Sequence, residues 1–313
     1  MNMKATNKTV LVIGAAGFLG RHTVRHFHDQ GWSVIGIDCV PPENAPLADL
    51  ATYYSLQLPS SELPFLLKKN VPDLCVHCAG RASVGLSITD PASDFAAGPV
   101  LTFEILNTLR LHAPECQFLF LSSAAVYGNP LSLPVNETYS CKPISPYGFH
   151  KWQSEQLCLE FAKIYGLRTA SMRIFSAYGI GLRRQVIWDI CHKAITKKKF
   201  MLQGTGKESR DFIHGRDIAA ALEVVAATAP LRGEVYNLAT GREVTIEELS
   251  VVVLKSLGIK AAPRFDDVVP PGTPLNWKAD ISLLTSLGFS PSVTLEQGIK
   301  SFTDWCRAEL SGV

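Results

Sequence analysis

The chain has 313 residues, with 30 basic and 28 acidic side chains. This length exceeds one average domain and predicts a large domain with a smaller second region. The near balance of charge lacks the strong basic excess of nucleic-acid binders, so no nucleic-acid partner is expected. No apolar stretch reaches the roughly 18 residues of a transmembrane helix, and residues 1–8 lack the apolar core of a signal peptide. We therefore expect a cytoplasmic protein without a membrane partner.

A glycine-rich turn follows the first predicted strand, at 9–13. The turn contains Gly14, Gly17 and Gly20, and a helical pattern follows it. In such a turn the first glycine permits the tight bend, the second lets backbone approach a pyrophosphate, and the third lets helix pack on strand. Asp38 ends the next predicted strand, where a carboxylate would accept hydrogen bonds from an adenine-ribose diol and repel a 2′-phosphate. These features predict NAD, rather than NADP, as the cofactor.

Hydroxyl and amino groups occur in two further segments. The residues that follow a proline-marked turn have helical spacing, so Tyr147 and Lys151 should lie one turn apart on the same helix face. A phenol has a pKa near ~10 in water, and a nearby ammonium favours the phenolate, so Lys151 would tune Tyr147 for proton transfer. The apolar run 117–121 predicts a buried parallel strand, which delivers Ser122 and Ser123 to the sheet edge where ligands bind.

Jointly these segments resemble the extended short-chain dehydrogenase/reductases, the family of NAD-dependent nucleotide-sugar epimerases and dehydratases. The matching segments, which extend over nearly the whole chain, are 14–20, 38, 77–80, 82–84, 122–128, 147–151, 173–179, 209–214 and 278–282. The resemblance implies an α/β fold with a Rossmann-like, doubly wound parallel sheet and a smaller C-terminal α/β substrate-binding region. The expected NAD-binding domain is 1–178, to which 211–240 returns, and 179–210 and 241–313 form the substrate-binding region.

Alternating strand and helix patterns favour the same fold. Strands are expected near 9–13, 32–37, 73–79, 117–123, 168–174 and 234–238, with a short strand at 200–202. Helices are expected near 185–199, 216–228, 245–258 and 294–310, with a loop at 263–274. After Tyr178 the regular alternation of strand and helix patterns ends, which marks the beginning of the smaller region.

The resemblance also implies roles for single residues. Ser123 would hydrogen-bond the sugar oxygen at C4, Tyr147 would remove or return its proton, and Lys151 would hold the nicotinamide ribose and depress the tyrosine pKa, while NAD takes the C4 hydride. Cofactor contacts are expected at Gly14, Gly17, Phe18, Leu19, Gly20, Asp38, Cys78, Ala79, Gly80, Ser122, Tyr147, Lys151 and Ile174. Substrate contacts are expected at Ser83, Ser123, Ser176 and Arg210.

The diphosphate of such a substrate needs a cationic partner. Arg210 is the favoured candidate, because a guanidinium offers a fork of donors that matches phosphate oxygens. Arg183 and Arg184 follow a glycine turn and are equally consistent with surface charge. Trp277 could shape the sugar or base pocket, or could belong to the core.

Departures from the family pattern narrow the function. Dehydratases of this family typically carry acids after the strand-end hydroxyl, where this chain has Ala124 and Ala125, so water elimination lacks its usual acid and base. What remains is epimerisation of a nucleoside-diphosphate hexose through transient C4 oxidation, or one-way reduction of a nucleotide 4-keto-sugar. Asp38 predicts NAD as the cofactor. This favours the epimerase, because an epimerase recycles NAD, whereas a reductase often uses NADPH. A non-enzymatic NAD-binding regulator is a third interpretation, because Gly98-Pro99 replaces the usual Asn-Val pair and Pro99 would break or kink its helix.

The chain has eight cysteines, which raises the question of a metal. Cys75 and Cys78 lie in an apolar strand pattern and no second pair of this spacing occurs, so buried free thiols are favoured over zinc and no metal is expected. Relatives often dimerise through two helices that correspond here to 92–112 and 150–165. The resemblance therefore implies a homodimer.

Overall fold

A parallel sheet of seven strands forms the centre of the protein. The computed structural model describes residues 8–45, 47, 50–197, 200–268 and 275–311. The sheet strands, numbered along the chain, are β1 (Thr9–Ile13), β2 (Ser33–Asp38), β3 (Thr52–Ser55), β4 (Leu74–His77), β5 (Gln117–Ser123), β6 (Thr169–Ile174) and β10 (Arg232–Leu238). Their spatial order is β10, β6, β5, β4, β1, β2, β3, and each pairing is parallel. The winding direction reverses between β1 and β4, which is where such sheets bind ligands.

The other strands form two short pairs. β7 (Ser176–Tyr178) pairs with β9 (Phe212–His214), and β8 (Ser209–Arg210) pairs with β11 (Val244–Thr245). The helices are α1 (Phe18–Asp29), α2 (Leu63–Lys69), α3 (Val84–Thr89), α4 (Pro91–Phe95), α5 (Leu101–His112), α6 (Pro146–Tyr165), α7 (Gln185–Thr196), α8 (Gly215–Thr228), α9 (Ile246–Ser256), α10 (Ser282–Ser286) and α11 (Leu295–Ser311). Within the described ranges, no helix has the length and apolar character needed to cross a membrane.

Helices cover both faces of the sheet because its strands are apolar on both sides. Val10 and Val12 of β1 pack in one cluster with residues of α1 and α8. Leu11 and Ile13, which alternate with them, pack in a second cluster with residues of α5 and α6. A third cluster joins α7, α9 and α11 in the part of the chain after Tyr178. The predicted doubly wound α/β fold is thus confirmed.

The structure differs from the local predictions at three places. The edge strand β3 was not predicted, because its residues are exposed or half-exposed and form no continuous apolar run. The predicted strand at 200–202 is wrong, since of these three residues only Leu202 pairs, in a single bridge with Phe265. The helix predicted for 185–199 ends at Thr196. Positions 198–199 and the 269–274 part of the predicted loop lie outside the described residues.

Pro99 alters its helix without ending it. α4 leads into a π-helical segment, Ala96–Val100, which contains Pro99 and continues as α5. The wider turn accommodates a residue that has no amide hydrogen to donate. A Cβ on Gly98 would lie 3.6 Å from the Cβ of His150, so this segment faces α6. Instead of the predicted break or kink, the helix is locally widened at Pro99, and the widened segment lies beside α6, which carries Tyr147.

Candidate active site

The glycine turn forms a cradle at the N-terminus of α1. Gly14 has φ +83°, and a Cβ there would lie 2.5 Å from the amide nitrogen of Ala79. A Cβ on Gly20 would collide with the carbonyl oxygen of Gly14. Gly17 is exposed at the N-cap of the helix, where amide hydrogens and the helix dipole favour an anion. Gly14 and Gly20 therefore require glycine, and the turn leaves backbone open to a pyrophosphate, as the dinucleotide interpretation demands.

Asp38 lies beside this cradle at the end of β2. Its Oδ2 accepts a hydrogen bond from the amide of Ala16 at 3.0 Å, and its Oδ1 accepts one from Val40 at 3.2 Å. A carboxylate oxygen can accept a further hydrogen bond, so this half-buried side chain can still accept from a diol. The residues present at this edge therefore fit the adenosine diphosphate portion of NAD.

The N-terminus of α6 packs tightly against the segment that follows β5. Ser145 caps the helix by accepting a hydrogen bond from the amide of Gly148 at 3.2 Å. A Cβ on Gly148 would lie 2.6 Å from the carbonyl oxygen of Ala125, so only glycine allows this approach. Ser123 ends β5 and Tyr147 lies in the first turn of α6, so this packing brings the two residues close together. Burial raises the pKa of Tyr147, and its interaction with Ser123 lowers that pKa in part.

Lys151 lies one helical turn beyond Tyr147. Its Nζ donates a hydrogen bond to the carbonyl oxygen of Leu121 at 2.7 Å and lies 5.9 Å from the ring centroid of Tyr147. Burial lowers the pKa of Lys151 to about 8, and the negative charge of Asp94 is the largest opposing influence. In this arrangement burial dominates the pKa of Tyr147. The depression of that pKa by Lys151 stays a prediction.

A network of buried polar side chains joins β5, β6 and α6 next to these residues. Arg173 donates from Nη2 to Oε2 of Glu155 at 2.7 Å and from Nε to Oε1 at 3.0 Å. Ser122 donates its hydroxyl to the same carboxylate at 2.5 Å, and Arg173 also donates to Tyr127 at 3.0 Å. The side chain of Ser122 thus has an internal partner. Any cofactor contact by Ser122 stays a prediction.

A cleft at the carboxyl ends of the strands contains both predicted and unexpected residues. Its lining includes Gly80, Tyr147 and Lys151, which the sequence singled out. It also includes Asp94 and His150, which the sequence did not single out. Asp94 is only 4% exposed and accepts a hydrogen bond from Nδ1 of His150 at 2.6 Å. His150 lies between Tyr147 and Lys151 in the sequence, but no local sequence pattern connects it with Asp94.

Other predicted contact residues lie around the same strand ends. Ile174 is buried at the end of β6, where it pairs with Ser123, and Cys78 and Ala79 directly follow β4. Ser83 accepts a hydrogen bond from the amide of Leu86 at 3.2 Å and caps α3. Ser176 begins β7 and is half-buried. Their ligand contacts remain predictions.

The three arginines differ in their partners. Arg210 donates to the carbonyl oxygens of Ser209 at 2.7 Å and Leu275 at 3.1 Å. Arg183 pairs with Glu309 on the surface at 2.6 Å. Arg184 donates to the carbonyl oxygen of Ala82, and its charge lowers the pKa of Tyr147. Arg184 therefore lies nearer to the cleft than the sequence indicated.

Trp277 belongs to a buried cluster. Its ring contacts Phe175 edge-on, with the centroids 5.4 Å apart. It is 9% exposed, and its indole nitrogen has no hydrogen-bond partner within the described part of the chain. This packing agrees with the interpretation of Trp277 as a core residue and not as part of the sugar or base pocket.

Proton-transfer groups set beside a dinucleotide cradle on one sheet edge are the arrangement of the extended short-chain dehydrogenase/reductases. The chain belongs to the NAD dependent epimerase/dehydratase family, whose model matches residues 10–239. This membership confirms the predicted family and the predicted cofactor, NAD.

Known proteins similar to this chain agree with that membership. The putative UDP-glucose 4-epimerase of Methanocaldococcus jannaschii is 27% identical over 306 residues, which cover 95% of this chain and 98% of the relative. The structure of UDP-N-acetylglucosamine 4-epimerase from Methanobrevibacter ruminantium, in complex with UDP-N-acetylmuramic acid, has a TM-score of 0.88 at 26% identity and covers 97% and 99% of the two chains. The UDP-glucose 4-epimerase of Thermotoga maritima with UDP-glucose has a TM-score of 0.86 at 26% identity and covers 96% and 99%.

Proposed function

We propose that the protein is a nucleotide-sugar 4-epimerase that acts on a UDP-hexose. The observation that carries this proposal is the cleft at the strand ends that Tyr147 and Lys151 line together, with Lys151 one helical turn further along α6. Similar proteins are named as UDP-sugar 4-epimerases, which supports UDP as the nucleotide.

In the proposed reaction, Tyr147 removes the proton of the C4 hydroxyl. Ser123 donates a hydrogen bond to the sugar oxygen and fixes the distance over which the proton moves. Bound NAD supplies the acceptor for the hydride that leaves C4 and the donor that returns it to the other face of the ketone. Tyr147 then gives the proton back to the C4 oxygen, so one cycle leaves all groups in their starting forms.

The segment after Ser123 supports epimerisation over dehydration. Ala124 and Ala125 begin a short 3-10 turn there, and Ala124 is fully buried. Their methyl groups offer neither an acid nor a base to a neighbouring sugar carbon. A ketone formed at C4 would therefore persist until it is reduced again.

The same proposal includes the binding regions. We assign NAD binding to 1–178 with 211–240, which is supported by the position of β10 inside the main sheet. We assign substrate binding to 179–210 and 241–313, in which α7, α9 and α11 share their own apolar cluster. Arg210 would bind the diphosphate, and Asp38 would select NAD over NADP.

We further propose a cytoplasmic homodimer. α5 and α6 expose large apolar side chains, among them Phe103 at 41%, Leu111 at 55% and Ile164 at 69%. Burial of such surface against the same helices of a second copy would stabilise the pair. Sedimentation velocity should give the mass of a dimer, and a charged residue at Ile164 should shift the protein towards the monomer.

Product analysis with a panel of nucleotide sugars tests the proposed activity. UDP-glucose, UDP-N-acetylglucosamine, UDP-glucuronic acid and their counterparts on other bases are incubated with protein and NAD, and the products are separated by chromatography. We expect a C4 epimer from at least one UDP-sugar without added NADH. Stoichiometric consumption of NADH or NADPH with a 4-keto sugar, and no epimer from any hexose, would identify a reductase instead.

A further inference from the structure

A carboxylate and an imidazole pair face the proposed catalytic groups. Asp94, in α4, is 4% exposed, and its Oδ2 lies 2.6 Å from Nδ1 of His150, in α6. Both side chains line the cleft that Tyr147 and Lys151 also line. A buried carboxylate is costly unless it is paired, so its position next to two titratable groups needs an explanation.

The pair has one aromatic neighbour and one glycine beside it. The ring of His150 packs edge-on against Phe95, with the centroids 5.3 Å apart. Gly98, in the π-helical segment, also lines the cleft, and a Cβ there would lie 3.6 Å from the Cβ of His150. The carboxylate of Asp94 accepts the hydrogen bond from Nδ1 of His150.

Several charged or titratable groups face Lys151 or Tyr147. Those around Lys151 are His77 of β4, Cys78 after it, Glu155 and Cys158 of α6, and Asp94. Those that act on Tyr147 are Arg184 and Asp94, beside the hydroxyl of Ser123. Asp94 acts on both Lys151 and Tyr147.

The charge of Asp94 differs from that of the other nearby carboxylate. Glu155 is bound to Arg173, so a cation already compensates it. Asp94 is paired with an imidazole and not with a guanidinium, and it lines the same cleft as Lys151. Burial lowers the pKa of Lys151 to about 8, and Asp94 is the largest influence that raises it.

We propose that Asp94 and His150 are positioning residues that keep Lys151 in its ammonium form while Tyr147 transfers protons. This proposal rests on the proposed epimerase function. The ammonium can hold a ribose hydroxyl and favour a phenolate only while it is charged, and its burial works against that charge. Asp94 offsets the effect of burial, and His150 keeps the carboxylate of Asp94 oriented.

Asp94→Asn removes the charge with little change of shape. Lys151 should then lose its proton at lower pH, which moves the alkaline limb of the turnover profile to lower pH by about one unit. Asp94 also raises the pKa of Tyr147, so the acid limb should move in the same direction. A purely structural defect would lower the maximum without moving the limbs.

Two variants of His150 separate its roles. His150→Asn places an amide hydrogen close to the position of Nδ1 and should keep the hydrogen bond to Asp94, so its profile should match that of the unmodified protein. His150→Leu removes the donor and should move the limbs as Asp94→Asn does, but less far. Asp90→Asn is the matched control, because Asp90 caps α4 through the amide of Ser93 and pairs with Arg81, and an asparagine can also cap.

The titration of Lys151 gives a readout that needs no turnover. Each variant with NAD bound is pulsed with an acylating reagent across a pH series, and the modified Lys151 peptide is quantified by mass spectrometry. We expect a midpoint about one pH unit lower in Asp94→Asn, a smaller decrease in His150→Leu, and unchanged midpoints in His150→Asn and Asp90→Asn.

Unchanged midpoints in both Asp94→Asn and His150→Leu would overturn the proposal, as would a shift in His150→Asn as large as that in His150→Leu. If Asp94→Asn does not fold, the two His150 variants decide between these outcomes. If no nucleotide sugar is epimerised, the labelling midpoints still test the pair, so its failure is distinguishable from failure of the proposed function.

Discussion

Helix α6 carries two clusters of buried charge that differ in how completely they are paired. Towards its middle, the carboxylate of Glu155 accepts from Arg173 and Ser122, and the guanidinium of Arg173 also donates to Tyr127. Near its N-terminus, Lys151 donates to the carbonyl oxygen of Leu121 and has no direct carboxylate partner within the described residues. We call the fully paired cluster of Glu155, Arg173, Ser122 and Tyr127 the closed cluster. The cluster of Lys151, Tyr147, Asp94 and His150, which lines the cleft, is the open cluster.

This difference separates support from reactivity. A fully paired buried ion pair has no donor left for a ligand, but breaking it leaves an uncompensated charge in the core. An incompletely paired ammonium costs stability, yet it keeps donors for a ribose and a charge for a phenolate. The closed cluster thus holds the strand ends in place, while the open cluster performs the chemistry that we propose.

Loss of the Tyr147 hydroxyl should produce the largest effect on the open cluster. Tyr147→Phe should lower epimerase turnover by about 10²–10⁴, in line with general acid–base contributions, because the variant lacks the hydroxyl that is proposed to take the proton. NAD binding by calorimetry should be nearly unchanged. Tyr165→Phe, at the far end of the same helix, is the control and should retain activity. Unchanged turnover in Tyr147→Phe would remove Tyr147 from the mechanism.

Loss of a charge from the closed cluster should lower the stability of the fold, whereas Tyr147→Phe should lower turnover. Glu155→Gln leaves the buried Arg173 charge without its carboxylate and should lower the free energy of unfolding by about 3–5 kcal/mol, as breaking buried pairs does. Urea unfolding measures this change. Asp304→Asn, which breaks the exposed Lys300–Asp304 pair, should change it by less than about 1 kcal/mol. The comparison fails if Glu155→Gln is as stable as the control and loses turnover as Tyr147→Phe does.

The smallest effect is expected at Asp38, which lies outside both clusters. The unmodified protein should bind NAD more tightly than NADP, because the carboxylate accepts from the ribose diol and repels a 2′-phosphate. Asp38→Ala should narrow this gap and leave the unfolding free energy nearly unchanged. Titration calorimetry with both cofactors measures the gap. Preference for NADP in the unmodified protein would contradict the assignment.

Much of the sheet and its edge could be predicted, because their signals are local. The apolar runs of β1, β2 and β5 are short, Gly14 directly follows β1, and Asp38 and Ser123 are the last residues of β2 and β5, so the strand ends were visible in the sequence. The helical spacing of Tyr147 and Lys151 likewise required only neighbouring residues. β3 was missed because an edge strand that is half-exposed needs no apolar run.

The open cluster was only partly predictable because its contacts are distant or involve backbone. Asp94 and His150 are 56 positions apart, and their contact depends on the path of the π-helical segment. The partner of Lys151 is a carbonyl oxygen, which leaves no mark on the residue type at position 121. Long-range pairs of this kind follow from packing and not from periodicity.

The fate of the hydrogen on C4 tests the epimerase account most directly. A UDP-hexose that carries deuterium at C4, and that the product panel has identified as a substrate, is incubated with the protein and NAD in ordinary water. The epimer is then isolated and its mass measured. If the hydride leaves C4 and returns to the same carbon, the epimer retains the deuterium, and no reduced cofactor accumulates. Loss of the deuterium to solvent or to an added pool of cofactor would contradict the account.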